Sequence, residues 1–113
     1  MKKVFISVGI SGRNTENVLE DIARANYNIG KRYGEDVEIV HNFDCISPIG
    51  SGRLYCLGEA IKKLGDCDAC YFVDGWDKHK GCLVEFLVCK LYGIDIIEEN
   101  PVPFEQRIDR SKL

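Results

Sequence analysis

The chain has 113 residues, of which 45% are hydrophobic and 29% are charged, and its formal net charge at pH 7 is −3. This length predicts one domain, and the composition is typical of globular proteins. The mildly acidic balance argues against a nucleic-acid-binding protein, which needs a basic surface. The apolar run at the N-terminus is too short for a signal peptide or a membrane span. We therefore expect a cytoplasmic protein that binds neither nucleic acid nor a membrane.

The first third of the chain predicts one strand and one long helix. A buried strand is predicted at residues 4–8, followed by a loop and a helix over about residues 16–33. Asn14 or Thr15 is the predicted N-cap, and Gly34 the C-terminal stop. Helical spacing predicts that one side of this helix faces the core: Val18, Leu19, Ile22, Ala23, Asn26 and Ile29.

The remaining elements alternate in the same way. A strand at residues 37–40 is followed by the segment 41–53, which is long enough to be a functional loop. We then predict a helix at 54–64, a strand at 69–73, a helix from 82 to 92 and a strand at 94–97. The inward residues of the 54–64 helix are Leu57, Ala60, Ile61 and Leu64. Residues 98–113 are expected to form a polar tail or an oligomer arm.

This alternation of strands and helices predicts an α/β fold. Residues 1–97 should form a Rossmann-like three-layer sandwich around a four-stranded parallel sheet in the order 2-1-3-4. Ligands of such sheets bind at the carboxyl ends of the strands, beside the point where the strand order reverses. Here that point lies between the first and third strands. Two polar loops should meet there, at residues 9–14 and 74–81.

The third helix carries one residue that does not match its surroundings. Nine of the eleven residues from Cys82 to Tyr92 are apolar, which predicts a helix buried on nearly all sides. Glu85 lies one turn into this helix, where an unpaired carboxylate would be costly. We therefore expect Glu85 to have either a chemical role or a partner. The candidate partners are the cations Arg13, Arg53 and Lys80.

The loop after the first strand resembles an anion-binding turn. Its residues are Gly9, Ile10, Ser11, Gly12 and Arg13. Glycines let a ligand approach the backbone, and the N–H groups at the start of the following helix favour a negative charge. The pattern is neither GxGxxG nor a P-loop, so a dinucleotide or triphosphate site is not indicated. A tight turn with an exposed arginine explains the same residues equally well.

The loop after the third strand contains further candidates. Asp74 and Asp77 could divide acid–base or nucleophilic work with Glu85 at a sugar, or could be simple turn and capping residues. Gly75 forms the turn, and Gly81 leaves room for a ligand beside Glu85. Trp76 could stack on a base or cover the end of the sheet, and His79 is expected to be exposed. Tyr55 and Glu59 could both face the crevice or form a solvated helix start, which is the favoured explanation for Tyr55.

Six cysteines do not form a recognisable metal or redox motif. Cys70, Cys82 and Cys89 lie in apolar strand or helix patterns, where a free cysteine behaves as a small hydrophobic residue. Cys67 and Cys70 have CxxC spacing, but no second pair completes a zinc site, and the motif enters a strand rather than a helix. We expect structural, reduced cysteines, no metal site and no cofactor.

Three motifs in order resemble the nucleoside 2-deoxyribosyltransferase-like superfamily. They are residues 4–12 (VFISVGISG), residues 71–76 (YFVDGW) and residues 81–85 (GCLVE). The similarity is greatest to a small branch of uncharacterised bacterial and phage proteins, the DUF4406 group. It covers most of residues 3–97. The loop at 77–82 departs from the family, which has a second acidic residue and Gly-Thr before the helix.

The resemblance implies a flavodoxin-like sheet and cleavage of the N-glycosidic bond of a nucleoside or nucleoside 5′-monophosphate. It implies that Glu85 attacks the anomeric carbon and that Asp74 holds ligand or catalytic groups. Residues 7–13 would bind the 5′ end, as the first loop of the nucleotide N-hydrolase branch does, and family members form homodimers or larger assemblies. A nucleotide-binding or sequestering protein without turnover, perhaps encoded by a phage, is the alternative.

Overall fold

Four parallel strands alternate with three α-helices in the computed structural model, which describes residues 1–101. The elements are β1 (Lys2–Ser7), α1 (Thr15–Tyr33), β2 (Val37–Val40), α2 (Tyr55–Gly65), β3 (Ala69–Phe72), α3 (Lys80–Tyr92) and β4 (Asp95–Glu98). A single 3₁₀ turn at Trp76–Lys78 precedes α3. The predicted tail or oligomer arm covers residues 98–113, and its residues from 102 onward lie outside the described part of the chain.

The predicted sheet is confirmed. The strands are all parallel, and their order is β2-β1-β3-β4. Val4 of β1 is in register with Ile39 of β2 and with Ala69 of β3, and Ala69 is in turn opposite Asp95 of β4. The two central strands, β1 and β3, are therefore next to each other at the point where the strand order reverses.

Alternate residues of the central strands pack against opposite helical layers, because successive side chains of a strand point to opposite faces. Val4, Ile6, Ala69 and Tyr71 pack with the buried side of α1. Phe5, Cys70 and Phe72 pack on the other face with residues of α2 and α3. These are the three layers of the predicted sandwich, and the next residue on the second face of β1 is Ser7.

The buried side of α1 is narrower than predicted. Asn14 is the N-cap, and its Oδ1 accepts a hydrogen bond from the backbone N–H of Glu16 at 2.7 Å. The buried residues are Val18, Ile22, Ala25 and Ile29. The predicted inward positions Leu19, Ala23 and Asn26 are exposed. Leu19 and Ala23 each follow a buried residue by one position, which turns them about 100° away from the flat face of the sheet.

The prediction that α3 is buried on nearly all sides is wrong for the described chain. One side packs on the sheet through Cys82, Glu85, Phe86 and Cys89. The opposite side is exposed, by 37% at Val84, 55% at Leu87, 79% at Leu91 and 78% at Tyr92. A helix at the outer layer of a sandwich has only one neighbouring layer, so its other side needs a further partner to be covered.

The fourth strand ends one residue later than predicted, and the folded unit continues to Glu99. One carboxylate oxygen of Glu99 accepts hydrogen bonds from Arg24 at 2.8 Å and from the backbone N–H of Asp74 at 3.2 Å. The other accepts from the hydroxyl of Tyr71 at 2.7 Å. Within residues 1–101, no helix is long and apolar enough to cross a membrane.

Candidate active site

Glu85 is a buried carboxyl group at the carboxyl end of β1. Its side chain lies on the sheet-facing side of α3, and the residue is only 7% exposed. Ser7 ends β1 on the face that α3 covers, and its hydroxyl donates a hydrogen bond to Oε1 of Glu85 at 2.7 Å. The partner of Glu85 is thus a neutral hydroxyl, and the ion pair with Arg13, Arg53 or Lys80 that the sequence allowed is not formed.

Burial changes the acid–base behaviour of this carboxyl. It disfavours the charged form and raises the pKa of Glu85 from 4.5 to about 7, while the hydrogen bond from Ser7 opposes this rise. Near neutral pH the group therefore exists in both its ionised and its protonated form. A carboxyl with this pKa can act as a nucleophile when ionised, or carry a proton when neutral.

An open cleft of about 1120 Å³ has Glu85 on its wall. The cleft lies on the face of the sheet that α2 and α3 cover. Its lining comes from the carboxyl end of β1, the segment after β2, and the first turns of α2 and α3. This is the edge of the sheet where ligands of parallel α/β proteins bind.

Some of the predicted site residues line this cleft together with Glu85. They are Gly9, Ile10 and Ser11 from the loop after β1, and Gly81 from the first turn of α3. Ser7 does not line the cleft, but its hydroxyl hydrogen-bonds Glu85, which does. A methyl group at Gly81 would meet only Cδ1 of Leu57, at 3.9 Å, so Gly81 leaves open space beside the carboxyl.

The guanidinium of Arg13 is used within the loop and does not line the cleft. It donates a hydrogen bond to the backbone oxygen of Gly9 at 2.8 Å and pairs with Asp21 at 2.6 Å. Gly12 also lies away from the cleft wall, where a side chain would meet open space. The structure therefore gives Arg13 the role of holding the Gly9 loop against α1.

The residues at the end of β3 do not line the cleft with Glu85. Asp74 is exposed, and its Oδ1 accepts a hydrogen bond from Asn100 at 3.3 Å. Trp76 is 4% exposed and stacks on Phe86 with 4.7 Å between ring centroids, so its ring lies in the core. Gly75 and Asp77 are likewise absent from the cleft lining.

His79 was expected to be exposed, but it is half-buried and lines the cleft. The imidazole lies so close over Gly9 that a methyl group at that position would overlap it. Burial lowers the pKa of His79, and the nearby charge of Arg13 lowers it further, although Asp77 opposes this. The cleft thus has a neutral imidazole at physiological pH, next to the loop that follows β1.

Three cations on the cleft wall were not selected as ligand-binding residues from the sequence. Arg53 ends the segment between β2 and α2, and Lys78 and Lys80 flank His79 at the start of α3. Glu85 is the only carboxylate on the part of the wall that residues 1–101 form. The length of segment 41–53 indicated a functional loop. Nothing in its sequence pattern indicated which of its side chains would face a ligand.

The other two side chains considered for the crevice lie at a solvated helix start. Tyr55 is 38% exposed, and Glu59 pairs with Lys62 of the same helix at 3.1 Å. Neither lines the cleft. Within residues 1–101, no group of histidine, cysteine and acidic residues is arranged to hold a metal ion.

Comparisons of the chain with protein-family models, with curated proteins and with solved structures give no match. The function is therefore inferred from the chemistry of the cleft.

Proposed function

We propose that the protein is an N-glycosidase or 2-deoxyribosyltransferase-like enzyme that cleaves the N-glycosidic bond of a nucleoside or nucleoside 5′-monophosphate. The single observation that carries the proposal is Glu85, a buried carboxyl with a pKa of about 7 on the wall of a ligand-sized cleft. Its position four residues after Gly81 is the spacing by which the resemblance to the deoxyribosyltransferase-like superfamily identifies Glu85 as the nucleophile.

In this proposal the ionised Glu85 attacks C1′ of the sugar. A C–O bond forms as the bond to the base breaks, and the departing base takes up a proton. The covalent glycosyl ester is then resolved by water, which gives hydrolysis, or by a second base, which gives transfer. Ser7 orients the attacking carboxylate through its hydrogen bond, and Gly81 leaves space for the sugar beside it.

The cations of the cleft support a phosphorylated substrate. Arg53, Lys78 and Lys80 surround a cleft whose described wall has one carboxylate, so a dianionic 5′-phosphate would enter a favourable potential. The first turn of α3 adds N–H groups that no side chain caps. We therefore propose that a nucleoside 5′-monophosphate is preferred over the nucleoside.

A nucleotide-binding protein without turnover is the second candidate, and one observation favours it. Glycosidases commonly use two carboxyl groups, and neither Asp74 nor Asp77 lies on the cleft wall with Glu85. In that case Glu85 hydrogen-bonds the sugar, and the neutral His79 and the cations hold the rest of the nucleotide.

The deciding experiment compares the wild type with Glu85→Gln, which keeps the size of the side chain and removes its charge. Both proteins are incubated with deoxy- and ribonucleosides and their 5′-monophosphates, and free base is measured by chromatography. We expect the wild type to release base, fastest from a monophosphate, and the variant to lose at least about 10³-fold in rate.

Thermal shifts on the same panel separate the two candidates. Ligand-induced stabilisation of the wild type without base release would establish binding alone. Base release that survives in Glu85→Gln would show that Glu85 is not the nucleophile. Neither release nor stabilisation by any member of the panel would reject both candidates.

The resemblance implies a homodimer or a larger assembly, and we propose that this protein forms a homodimer through the exposed side of α3. The apolar residues Val84, Leu87, Leu91 and Tyr92 form a continuous side at helical spacing. Exposed apolar surface of this kind is characteristic of protein–protein contacts. In such a dimer, α3 of one chain would cover the exposed apolar side of α3 of the other.

A further inference from the structure

Two of the six cysteines lie on the wall of the cleft, and the other four lie in the core. Cys45 and Cys56 are half-buried and line the cleft. Cys67, Cys70, Cys82 and Cys89 are buried. Because a cysteine must be accessible to react with a solute, Cys45 and Cys56 are the thiols that a small oxidant can reach in the folded protein.

Contacts along the backbone hold these two cysteines together. The N–H of Cys45 donates to the backbone oxygen of Asn42 at 3.1 Å, and Nδ2 of Asn42 donates to the backbone oxygen of Cys56 at 2.7 Å. Two residues beyond Cys45, Oγ of Ser47 lies 3.4 Å from Sγ of Cys56. The segment around Cys45 is therefore attached on both sides to the first turn of α2.

The side chains of Cys45 and Cys56 are also close enough to interact. The interaction with the Cys56 side chain, with a smaller contribution from burial, raises the pKa of the Cys45 thiol. Cys45 therefore keeps its proton to a higher pH than an isolated cysteine does. Cys56, the second residue of α2, is the thiol left to react first.

We propose that Cys45 and Cys56 are an oxidation site for peroxides, which convert the pair to an intramolecular disulfide on the cleft wall. In the first step the Cys56 thiolate attacks one peroxide oxygen, the O–O bond breaks and water leaves, which produces a sulfenic acid. In the second step the sulfur of Cys45 attacks that of Cys56, the S–O bond breaks and a second water leaves. The two thiols lose two electrons, and hydrogen peroxide gains them.

The buried pair Cys70 and Cys89 is an internal control. The side chains of these two residues also interact, but Cys70 is fully buried and Cys89 is 1% exposed. If contact alone were sufficient, both pairs would be oxidised. The proposal requires contact together with access, so Cys70 and Cys89 stay reduced while the protein is folded.

The test treats the folded, reduced protein with hydrogen peroxide, blocks the remaining thiols by alkylation and identifies tryptic peptides by mass spectrometry. Trypsin cleaves after Arg53, which separates residues 33–53, containing Cys45, from residues 54–62, containing Cys56. We expect these two peptides joined, two of the six thiols lost, and full reversal by dithiothreitol. We expect Cys45→Ser to form no such link and to leave a sulfenic acid at Cys56 that dimedone traps.

Three outcomes would overturn the proposal. One is that both peptides remain fully alkylated after peroxide treatment. Another is that the core cysteines are oxidised at the same rate as Cys45 and Cys56. The third is that mixed samples of isotopically light and heavy protein show the link between molecules rather than within one. None of these readouts depends on base release, so the oxidation site and the glycosidase proposal can fail separately.

Discussion

At the scale of single residues, the chemistry of the cleft depends on how Glu85 is held. Its carboxyl group is buried on the sheet-facing side of α3 and receives one hydrogen bond, from the hydroxyl of Ser7. Burial and this hydrogen bond act on the pKa in opposite directions. The pH range in which Glu85 is ionised is therefore set by a balance that a single substitution can change.

Substituting Ser7 with alanine should move the activity to higher pH. In the proposed mechanism only the ionised Glu85 is nucleophilic, so the wild type should gain activity as the pH rises through about 7. Ser7→Ala removes a hydrogen bond that favours the charged form, so the pKa of Glu85 rises, and the midpoint of the pH–rate profile rises by about one unit.

The measurement is kcat/KM between pH 5 and pH 9 for both proteins. Ser11→Ala is the matched control, since Ser11 lines the same cleft in the loop after β1. An unchanged midpoint in Ser7→Ala, with base release still dependent on Glu85, would contradict the proposed coupling of the two side chains.

A second residue-scale prediction concerns the close contact of Gly9 and His79. A methyl group at Gly9 would overlap the imidazole, so Gly9→Ala should displace His79 and destabilise the fold by about 1–3 kcal/mol. In the double variant Gly9→Ala/His79→Ala the overlap is gone, and most of that loss should be recovered.

Urea unfolding measures this difference, and Gly81→Ala is the control. Gly81 also lines the cleft, but a methyl group there makes only an ordinary contact with Leu57, so Gly81→Ala should lose no stability relative to the wild type. Equal losses in Gly9→Ala and in the double variant would show that the backbone of Gly9, rather than His79, is responsible.

At the scale of elements, α3 has two different sides. One carries Glu85 and packs on the sheet, and the other exposes leucines to solvent. Local sequence does not distinguish these sides, since both are apolar. Which side faces the sheet follows from the contacts of Phe86 and Cys89 with the strands, which are formed only when the layers come together.

The exposed apolar side of α3 leads to a prediction about the oligomeric state of the protein. We expect the wild type to sediment at twice the 12.8 kDa mass of the chain, and Leu87→Glu to sediment at the mass of one chain. A glutamate at this 55% exposed position is tolerated by a monomer but places a charge in an apolar interface.

Leu19→Glu on α1 is the control for the assembly prediction, because Leu19 is exposed to a similar extent, 48%, on the opposite layer. It should leave the dimer intact. A wild type that sediments as a monomer at micromolar concentrations, or a Leu19→Glu variant that dissociates equally, would exclude α3 as the interface.

At the scale of the whole molecule, the buried carboxyl links function to stability. The pKa of Glu85 is about 7 in the folded protein and about 4.5 when the side chain is exposed in the unfolded chain. The folded state therefore binds more protons between these values, and the stability that this provides is lost as the pH rises through 7. Burying the ionised carboxylate therefore lowers the stability of the folded state.

Glu85→Gln should consequently become more stable relative to the wild type as the pH rises. Glutamine does not ionise, so the difference in unfolding free energy should change in favour of the variant by about 3 kcal/mol between pH 4.5 and pH 8. Urea unfolding of both proteins at the two pH values measures it. The same difference at both pH values would mean that Glu85 is not desolvated in solution.

Much of this architecture was predictable from the sequence because it depends on local patterns. Apolar runs and helical spacing placed every strand and helix to within a few residues, and the alternation of strands with helices predicted the sheet order that is observed. Glu85 was recognisable because a carboxylate one turn into an apolar helix conflicts with its surroundings. Each of these signals lies within a short stretch of chain.

The tertiary structure alone decided what surrounds Glu85. Its partner Ser7 is 78 residues away in sequence, and the cations of the cleft come from two separate segments. Trp76 and Asp74, which are close to Glu85 in sequence, lie in the core and on the surface outside the cleft. The physical reason is that helix and strand formation respond to neighbouring residues, whereas the wall of a cleft is made by packing of distant segments, whose side-chain directions are set only when the layers meet.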